Sequence, residues 1–386
     1  MQVIFQLLSL GAFTAVVLYL AMYLSLIPWR RSAGRHWTER ARLLWPARRT
    51  VFAATLAGAM VALLWGRMSF GWLPPTGVII GGALMGSPGL YPYIREIEPR
   101  YRFLPWLRET AWTLLVRAAP LMVAVTLMAT MPDVMGPPDV WLAASGFLLS
   151  LLLASGIWLP MVMSRKKGED PLAPVQARLD RIAEEASEGA GVVPRHAWLA
   201  DSPLANAVAF PVIRSVAFTS RTMELLDDEE CLDVMRHELA HLREPLVVGV
   251  LRVLSSVSYF VIVLVRPVLY AWGGLGLMAL LLGFLLFQRL GGIVQRRMEL
   301  RADVAAAGSD GESPSYARAL EKLYEAGKLP AVMPGNSMVH PHLYDRMIAA
   351  GVTPDYPRPA PASRMSAVAW VCLLITIVAA VSLFYV

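Results

Sequence analysis

The sequence predicts a mainly α-helical protein that crosses a membrane about eight times and carries a small α+β domain outside the bilayer. Hydrophobic residues make up 56% of the 386 residues and charged residues only 17%, whereas roughly 25% are charged in a typical soluble domain. The mean hydropathy is +0.51. Because this is more apolar sequence than a soluble core needs, we expect much of it to face lipid.

Eight apolar stretches are candidate spans. About 20 apolar residues cross the hydrocarbon core of a bilayer as a helix, and the first, fourth, fifth and last stretches reach that length almost without charge. The second is short and the third contains Pro74 and Pro75, so these two form either two spans or a re-entrant pair. The eight stretches are approximately 3–28, 50–66, 70–89, 110–131, 140–163, 246–266, 269–288 and 364–386.

Arginine is unevenly distributed between these stretches. The connections 29–49 and 90–109 are rich in arginine, whereas 132–139 contains no Lys or Arg. Since positively charged loops stay in the cytoplasm, eight spans place the later polar segments there, and so do six spans without the weak pair. We therefore expect an integral protein of the bacterial plasma membrane. The net charge of +6 fits anionic lipid headgroups better than nucleic acid, and the oligomeric state is left open.

The polar residues fall into two segments that flank an apolar pair. Together they comprise about 155 residues, enough for one small domain, and we expect a small sheet from about 196–220. The pair between them reads as a transmembrane hairpin. The predicted division is 1–163 for an N-terminal membrane region, 164–245 and 289–363 for the polar domain, 246–288 for the hairpin and 364–386 for a C-terminal span.

Residues 237–241 read His-Glu-Leu-Ala-His and predict a metal site. On a helix, residues i and i+4 share a face, so His237 and His241 can both reach one ion. Glu238 can then act on a water molecule beside it, which is the pattern of zinc endopeptidases. The alternative is a pair of solvated histidines on an amphipathic helix.

Neighbouring residues support the helix that this motif needs. Asp227 and Glu230 have the spacing of a capping box at a helix N-terminus, and Pro245 closes the segment before the next apolar stretch. We therefore expect the motif on a helix that ends close to the membrane surface.

A catalytic zinc needs a third protein ligand and an open position. Glu299 is the candidate, and Asp303 follows it by four residues, so both carboxylates share one helical face. One can bind the metal while the other accepts a hydrogen bond from a ligand histidine. The alternative is an ordinary charged helix with local ion pairs. Two imidazoles and a carboxylate suit zinc, although cobalt or manganese could replace it.

Around these motifs the sequence resembles the HtpX-like and type I CAAX prenyl endopeptidase group of membrane zinc metallopeptidases, over about residues 175–350. Five features occur in the same order as in that group. The first two are Asp-Ser-Pro-Leu-Ala-Asn-Ala-Val-Ala-Phe at 201–210, similar to an Asn-Ala-Phe segment but with extra residues between Ala207 and Phe210, and Val-Ala-Phe-Thr-Ser at 216–220. The third is Asp228-Glu229-Glu230 leading to the His-Glu-Leu-Ala-His helix, and the fourth is the Glu299/Asp303 pair. The fifth is Ser-Met-Val-His-Pro at 337–341 with Arg346-Met347, similar to a Thr-His-Pro…Arg-Ile motif.

The resemblance implies a zincin-like α+β catalytic domain of the gluzincin type and assigns its metal residues. His237, His241 and Glu299 would bind Zn²⁺, and Glu238 would be the general base. Asp303 would accept a hydrogen bond from the second ring nitrogen of a ligand histidine.

The resemblance also implies substrate contacts. Arg346, and with it His340, would contact the oxyanion or the open zinc position, whereas His340 could instead only pack a turn before Pro341. Asn206 and Ala207 would lie on an edge strand that pairs with the substrate backbone.

These expectations describe a zinc metalloendopeptidase that hydrolyses membrane or membrane-proximal proteins at the cytoplasmic face. The resemblance implies protein quality control as its role. Alternatives are CAAX-type processing of a specific peptide tail, a signal-triggered regulatory metallopeptidase similar to BlaR-type receptors, and a scaffold with a vestigial zinc site.

Overall fold

The computed structural model describes residues 2–70, 86–160, 171–307, 313–335 and 342–382. The chain divides into two compact units, one of residues 1–122 with 360–386 and the other of residues 123–359. In the described part the α-helices are α1 (Gln2–Ser25), α2 (Ile27–Arg30), α3 (Trp37–Phe70), α4 (Tyr91–Ile97), α5 (Phe103–Thr130), α6 (Pro137–Ser155), α7 (Ala173–Ala190), α8 (Ser220–Leu225), α9 (Asp228–Leu242), α10 (Leu246–Ser256), α11 (Val265–Ala306), α12 (Pro314–Ala326), α13 (Leu343–Ala349) and α14 (Ala367–Ser382).

The first unit is helical, and small residues line the contact between its helices α3 and α14. Helix α3 packs against both α1 and α14. Three alanines of α3, at positions 53, 54 and 57, are buried in this contact with Ala369 and Cys372 of α14. Small side chains let apolar helices approach closely. A hydrogen bond of 2.6 Å between Thr50 Oγ1 and Ser366 Oγ fixes α14 against α3.

A three-stranded sheet lies in the second unit. Its strands are β1 (His196–Ala200), β2 (Ala207–Phe210) and β3 (Ser215–Thr219), in the order β1-β3-β2. Strand β3 pairs parallel to β1 and antiparallel to β2, and it is the most buried strand. The small sheet expected over 196–220 is therefore confirmed, and β2 is one of its edges.

Helix α9 is the centre of the second unit. It packs against α7, α11 and α12 and against strand β2. Helix α7 buries Leu179, Ile182, Ala183 and Ala186, which is the spacing of one apolar helical face. Gly191 then ends α7 with a φ of 63°, a conformation that glycine adopts readily.

The apolar hairpin reverses at Gly273, whereas the sequence analysis placed the break between 266 and 269. Helix α10 is followed by a 3₁₀ segment, Ser258–Leu264, and α11 is interrupted at Gly273, with φ 59° and ψ −154°. Gln288 Nε2 donates to Ser258 Oγ at 2.8 Å, and a Cβ built on Gly291 would lie 2.7 Å from Ser255 Oγ. Residue 273 is the midpoint in sequence of both pairs, 258 with 288 and 255 with 291, as expected for two antiparallel limbs that meet there. Glycine tolerates this backbone conformation, which explains the position of the turn.

The arginine-rich connections are more helical than expected. Helix α3 begins at Trp37, so the predicted 50–66 span is only its second half and several arginines of the 29–49 connection lie on the same helix. Most of the predicted 70–89 span lies outside the described residues.

Four described segments are long and apolar enough to cross a membrane, and three apolar helices are shorter. The fold is therefore mainly helical with a small sheet, as predicted, while the count of eight spans stays a prediction. The long segments are Leu8–Arg30, Trp37–Met68, Pro137–Ser155 and Ser258–Ala306; the shorter helices are Ala119–Met128, Leu246–Ser256 and Ala367–Ser382.

Candidate metal centre

Helix α9 carries the His-Glu-Leu-Ala-His motif, and its N-terminus has the predicted capping box. Asp227 Oδ1 accepts from the backbone N–H of Glu230 at 2.9 Å, and Glu230 Oε2 accepts from the N–H of Asp227 at 3.0 Å. Lys322 of α12 pairs with Glu230 at 2.6 Å. These contacts fix the start of the helix and its position against α12.

His237, His241 and Glu299 come together between α9 and α11. Their ligand atoms all lie within 4.8 Å of one another. The two Nε2 atoms are 3.3 Å apart, and each lies 3.7 Å from one oxygen of Glu299. All three residues are buried, as is Glu238, which is 8% exposed.

This donor set fits a catalytic zinc ion. Two ligands of a tetrahedral zinc, at ~2.1 Å from the metal, lie ~3.4 Å apart, and the two imidazole nitrogens are separated by 3.3 Å. Three protein ligands leave a fourth position for water or substrate. The predicted ligand set is therefore brought together by α9, which precedes the hairpin, and by α11, which contains the returning part of the hairpin.

Asp303 lies behind His237, as expected. Its Oδ1 is 3.2 Å from His237 Nδ1, while His237 Nε2 faces Glu299. A ligand histidine that gives its second nitrogen to a carboxylate is held in one tautomer and one orientation. Burial alone would lower the pKa of His237, but hydrogen bonds to Asp303 and Glu299 and the charge of Glu238 outweigh burial and raise the pKa to about 9.

Tyr316 of α12 joins this arrangement, although the sequence analysis did not single it out. Its hydroxyl lies 2.8 Å from His237 Nδ1 and donates to Asp303 Oδ1 at 2.8 Å. Burial raises the pKa of the phenol well above its usual value, so the hydroxyl stays protonated and can donate. Its position depends on a tertiary contact that no local pattern reveals.

A buried carboxylate positions the helix that carries Tyr316. Asp233 of α9 accepts from Ser313 Oγ at 2.7 Å and from Ser315 Oγ at 2.5 Å. Ser313 is also the N-cap of α12, because its Oγ accepts from the N–H of Tyr316 at 3.1 Å. The Ser-Pro-Ser-Tyr sequence at 313–316 is the one signal by which this contact could have been anticipated.

Arg346 lies behind His237 and not on the side of the open metal position. Its Nη2 donates to Asp303 Oδ1 and to the hydroxyl of Tyr316 at 2.8 Å, both on the Nδ1 side of the imidazole. The guanidinium is buried, yet the charge of Asp303 and the hydroxyls of Tyr316 and Tyr324 keep its pKa raised. This arrangement favours a positioning role over the oxyanion contact that the resemblance implies.

His241 has its own carboxylate partner, which no motif in the sequence singles out. Glu244 Oε1 lies 2.6 Å from His241 Nδ1, and the side chain is 4% exposed. Arg252 of α10 pairs with the same carboxylate at 2.9 Å. Both ligand histidines are therefore backed by a carboxylate that is paired with an arginine.

The remaining predicted site residues belong to strand β2 and to a segment before α13. Asn206 and Ala207 lie at the start of the edge strand, with Ala207 opposite Phe218 of β3. The carbonyl of Asn206 accepts from the N–H of Thr219 at 3.0 Å. His340 and the 337–341 motif lie outside the described residues.

Comparison with known proteins agrees with this site. Residues 173–352 match the model of peptidase family M48. The chain is similar in structure to the crystal structure of Ste24p from S. mikatae, with a TM-score of 0.50 and 14% sequence identity, over 89% of this chain and 98% of that chain. At this identity the likeness shows the fold alone. No curated protein matches the chain.

The match to peptidase family M48 confirms the resemblance to a group of metallopeptidases that the sequence shows. The family match covers the capping box, both ligand histidines, Glu299 and Arg346. The segment that carries the candidate metal centre is therefore similar to the metallopeptidases of family M48.

Proposed function

We propose that the protein is a zinc endopeptidase that hydrolyses peptide bonds of membrane or membrane-proximal proteins at the cytoplasmic face of the plasma membrane, in protein quality control. The convergence of His237, His241 and Glu299 within 4.8 Å, with Glu238 buried beside them, carries the proposal. The arginine-rich connections support the cytoplasmic side.

The residues have separable chemical roles. A zinc ion held by the three ligands would polarise the scissile carbonyl and acidify the attacking water. Glu238 accepts the proton from that water and passes it to the leaving amine. Asp303 and Glu244 hold the two imidazoles in the tautomer that presents Nε2 to the metal site.

The edge strand β2 is suited to bind the substrate backbone. The bond from Thr219 N–H to the carbonyl of Asn206 makes Asn206 and Thr219 a hydrogen-bonded pair. Because such pairs alternate in an antiparallel ladder, the backbone groups of Val208 also point to β3. Those of Ala207 and Ala209 point to the free edge, so we assign substrate pairing to these two alanines and not to the backbone of Asn206.

A pair of proline substitutions tests this assignment. Ala209→Pro removes an outward N–H, which an edge strand tolerates, and we expect a loss of kcat/KM of about tenfold, the value of one backbone hydrogen bond, with little change in thermal stability. Val208→Pro removes a ladder bond and is the contrasting control, because it should lower stability as well. Unchanged cleavage by the Ala209 variant would contradict strand pairing.

The function itself is tested with Glu238→Gln. Wild type and variant are purified in detergent, loaded with zinc and compared for cleavage of casein and for autolysis. We expect both to hold one zinc and only the wild type to cleave. Glu229→Gln is a matched control, since Glu229 is an exposed residue in the first turn of the same helix.

Each outcome separates the alternatives. Equal cleavage by wild type and Glu238→Gln would exclude Glu238 as the base. If neither cleaves while both hold zinc, general proteolysis is wrong, and the accumulation of particular membrane proteins in a deletion strain would identify a specific substrate.

A further inference from the structure

The second unit contains an apolar cavity of about 640 Å³ next to the metal centre. Its walls come from the end of α6, the 3₁₀ turn after strand β2, the end of α9 and one face of α10. Leu151, Val212, Leu242, Val250 and Leu254 contribute to the lining. The volume lies in the range of small-molecule binding sites, about 300–1,000 Å³.

The cavity offers few hydrogen-bonding groups to a peptide backbone. Among its fifteen lining residues only Ser155, Arg214 and Glu244 have hydroxyl or charged side chains. The Ser155 hydroxyl donates to the Leu152 carbonyl at 2.8 Å, and Glu244 is held by His241 and Arg252. A buried peptide would therefore leave its N–H and C=O groups unpaired, at a high cost in free energy, whereas a hydrocarbon chain would not.

The cavity is continuous with the apolar outer surface of two helices. Leu246 of α10 is 87% exposed, and Val250 is 56% exposed. Leu152 and Ile157, at and beyond the end of α6, are 51% and 52% exposed. In a membrane protein such surfaces contact lipid tails, so an acyl chain can pass from the bilayer into the cavity.

Arg214 provides a positive charge at the rim. It lines the cavity and is exposed to solvent. Its backbone is fixed by hydrogen bonds to Pro211 and Arg195, while its guanidinium forms no hydrogen bond or ion pair with any part of the chain that the structure describes. The planar guanidinium matches the geometry of a phosphate group and can bind it through two hydrogen bonds.

We propose that this cavity binds one acyl chain of an anionic membrane phospholipid, with the lipid phosphate on Arg214. The lipid would then lie against Glu244, the carboxylate that holds His241. The proposal concerns lipid binding and does not depend on peptide hydrolysis.

The glycines of the chain offer a matched pair of substitutions. Gly249 of α10 lines the cavity, and a Cβ built on it meets nothing within 4 Å, so we expect a leucine side chain at this position to enter the cavity. Gly283 of α11 is equally open but lies outside the cavity, which makes Gly283→Leu the control. Arg214→Gln removes the rim charge at an exposed position where folding is not at risk.

Native mass spectrometry of the full-length, zinc-loaded protein counts bound lipids after exchange into detergent with phosphatidylglycerol or phosphatidylcholine. We expect wild type and Gly283→Leu to keep one tightly bound phosphatidylglycerol that Gly249→Leu loses. Arg214→Gln should lose a preference of about fivefold for phosphatidylglycerol over phosphatidylcholine, the typical contribution of one arginine at an anionic surface.

Two results would overturn the proposal. One is equal retention of phosphatidylglycerol by Gly249→Leu and wild type. The other is an unchanged lipid count together with weaker casein cleavage in Gly249→Leu only, which would assign the cavity to the substrate.

Discussion

Glu244 contacts His241, a proposed metal ligand, and its replacement should weaken metal binding. Its carboxylate lies 2.6 Å from His241 Nδ1 and 2.9 Å from Arg252, and the side chain is 4% exposed. Glu244→Gln keeps an oxygen that can accept from His241 but removes the negative charge. Glu244→Ala removes both.

The expected loss of zinc affinity follows from the effect of removing residues that hold metal ligands in other proteins. Loss of a residue that holds a metal ligand costs ~10–100-fold in metal affinity, or ~1.4–2.8 kcal/mol. We assign the lower value to Glu244→Gln and the upper value to Glu244→Ala. Arg252→Gln should cost less than either, because the guanidinium is 30% exposed and acts on His241 only through Glu244.

Competition with a zinc chelator measures these affinities on the metal-free protein. The double variant Glu244→Gln/Arg252→Gln should bind zinc no more weakly than Glu244→Gln alone, since both changes act through one contact. Zinc affinity of Glu244→Ala within twofold of the wild type would refute the reasoning, as would full additivity of the two glutamine substitutions.

Two further predictions concern the pH dependence of metal binding and the turn of the hairpin. In the metal-free protein the pKa of His237 is raised from 6.5 to about 9. Zinc must therefore displace a proton at neutral pH, and its apparent affinity should rise by up to tenfold per pH unit until about pH 9. The stability that protonated His237 gives the metal-free fold is present below pH 6.5 and is lost as the pH rises through 9. Chelator competition at several pH values checks the slope, and Asp303→Asn should flatten it. At the hairpin turn, Gly273→Ala should destabilise the protein by ~1–3 kcal/mol, because residue 273 has a positive φ. Gly274→Ala is the control and should not destabilise the protein, because residue 274 has no positive φ and has equal open space around it. Equal thermal stabilities of the two variants would refute this prediction.

The local patterns predicted most of the metal site. Histidines four residues apart, the capping box of Asp227 and Glu230 and the paired carboxylates of α11 are each contained within one helix. Helical geometry alone therefore fixes which side chains share a face. The small sheet expected over 196–220 is also present.

The contacts that surround the proposed metal ligands could not be predicted from such local patterns. Tyr316 reaches His237 because Asp233 ties the start of α12 to α9. Arg346 reaches Asp303 from α13. These distances depend on how helices far apart in sequence are packed, and a charge or hydroxyl in the sequence does not reveal its tertiary partner.

Because the hairpin turns at Gly273, the length of its second limb, the helix that follows the turn, determines where Glu299 lies. From residue 274 to Glu299 the chain is one helix without a further break, so each residue added or removed there turns Glu299 by ~100° about the axis and shifts it by ~1.5 Å. A single deletion would carry the carboxylate away from the histidines. Seven residues, close to two full turns, would keep its direction but would still shift it by ~10 Å along the axis. We therefore expect insertions and deletions in this limb to lower zinc affinity, whereas the turn itself can change length by single residues.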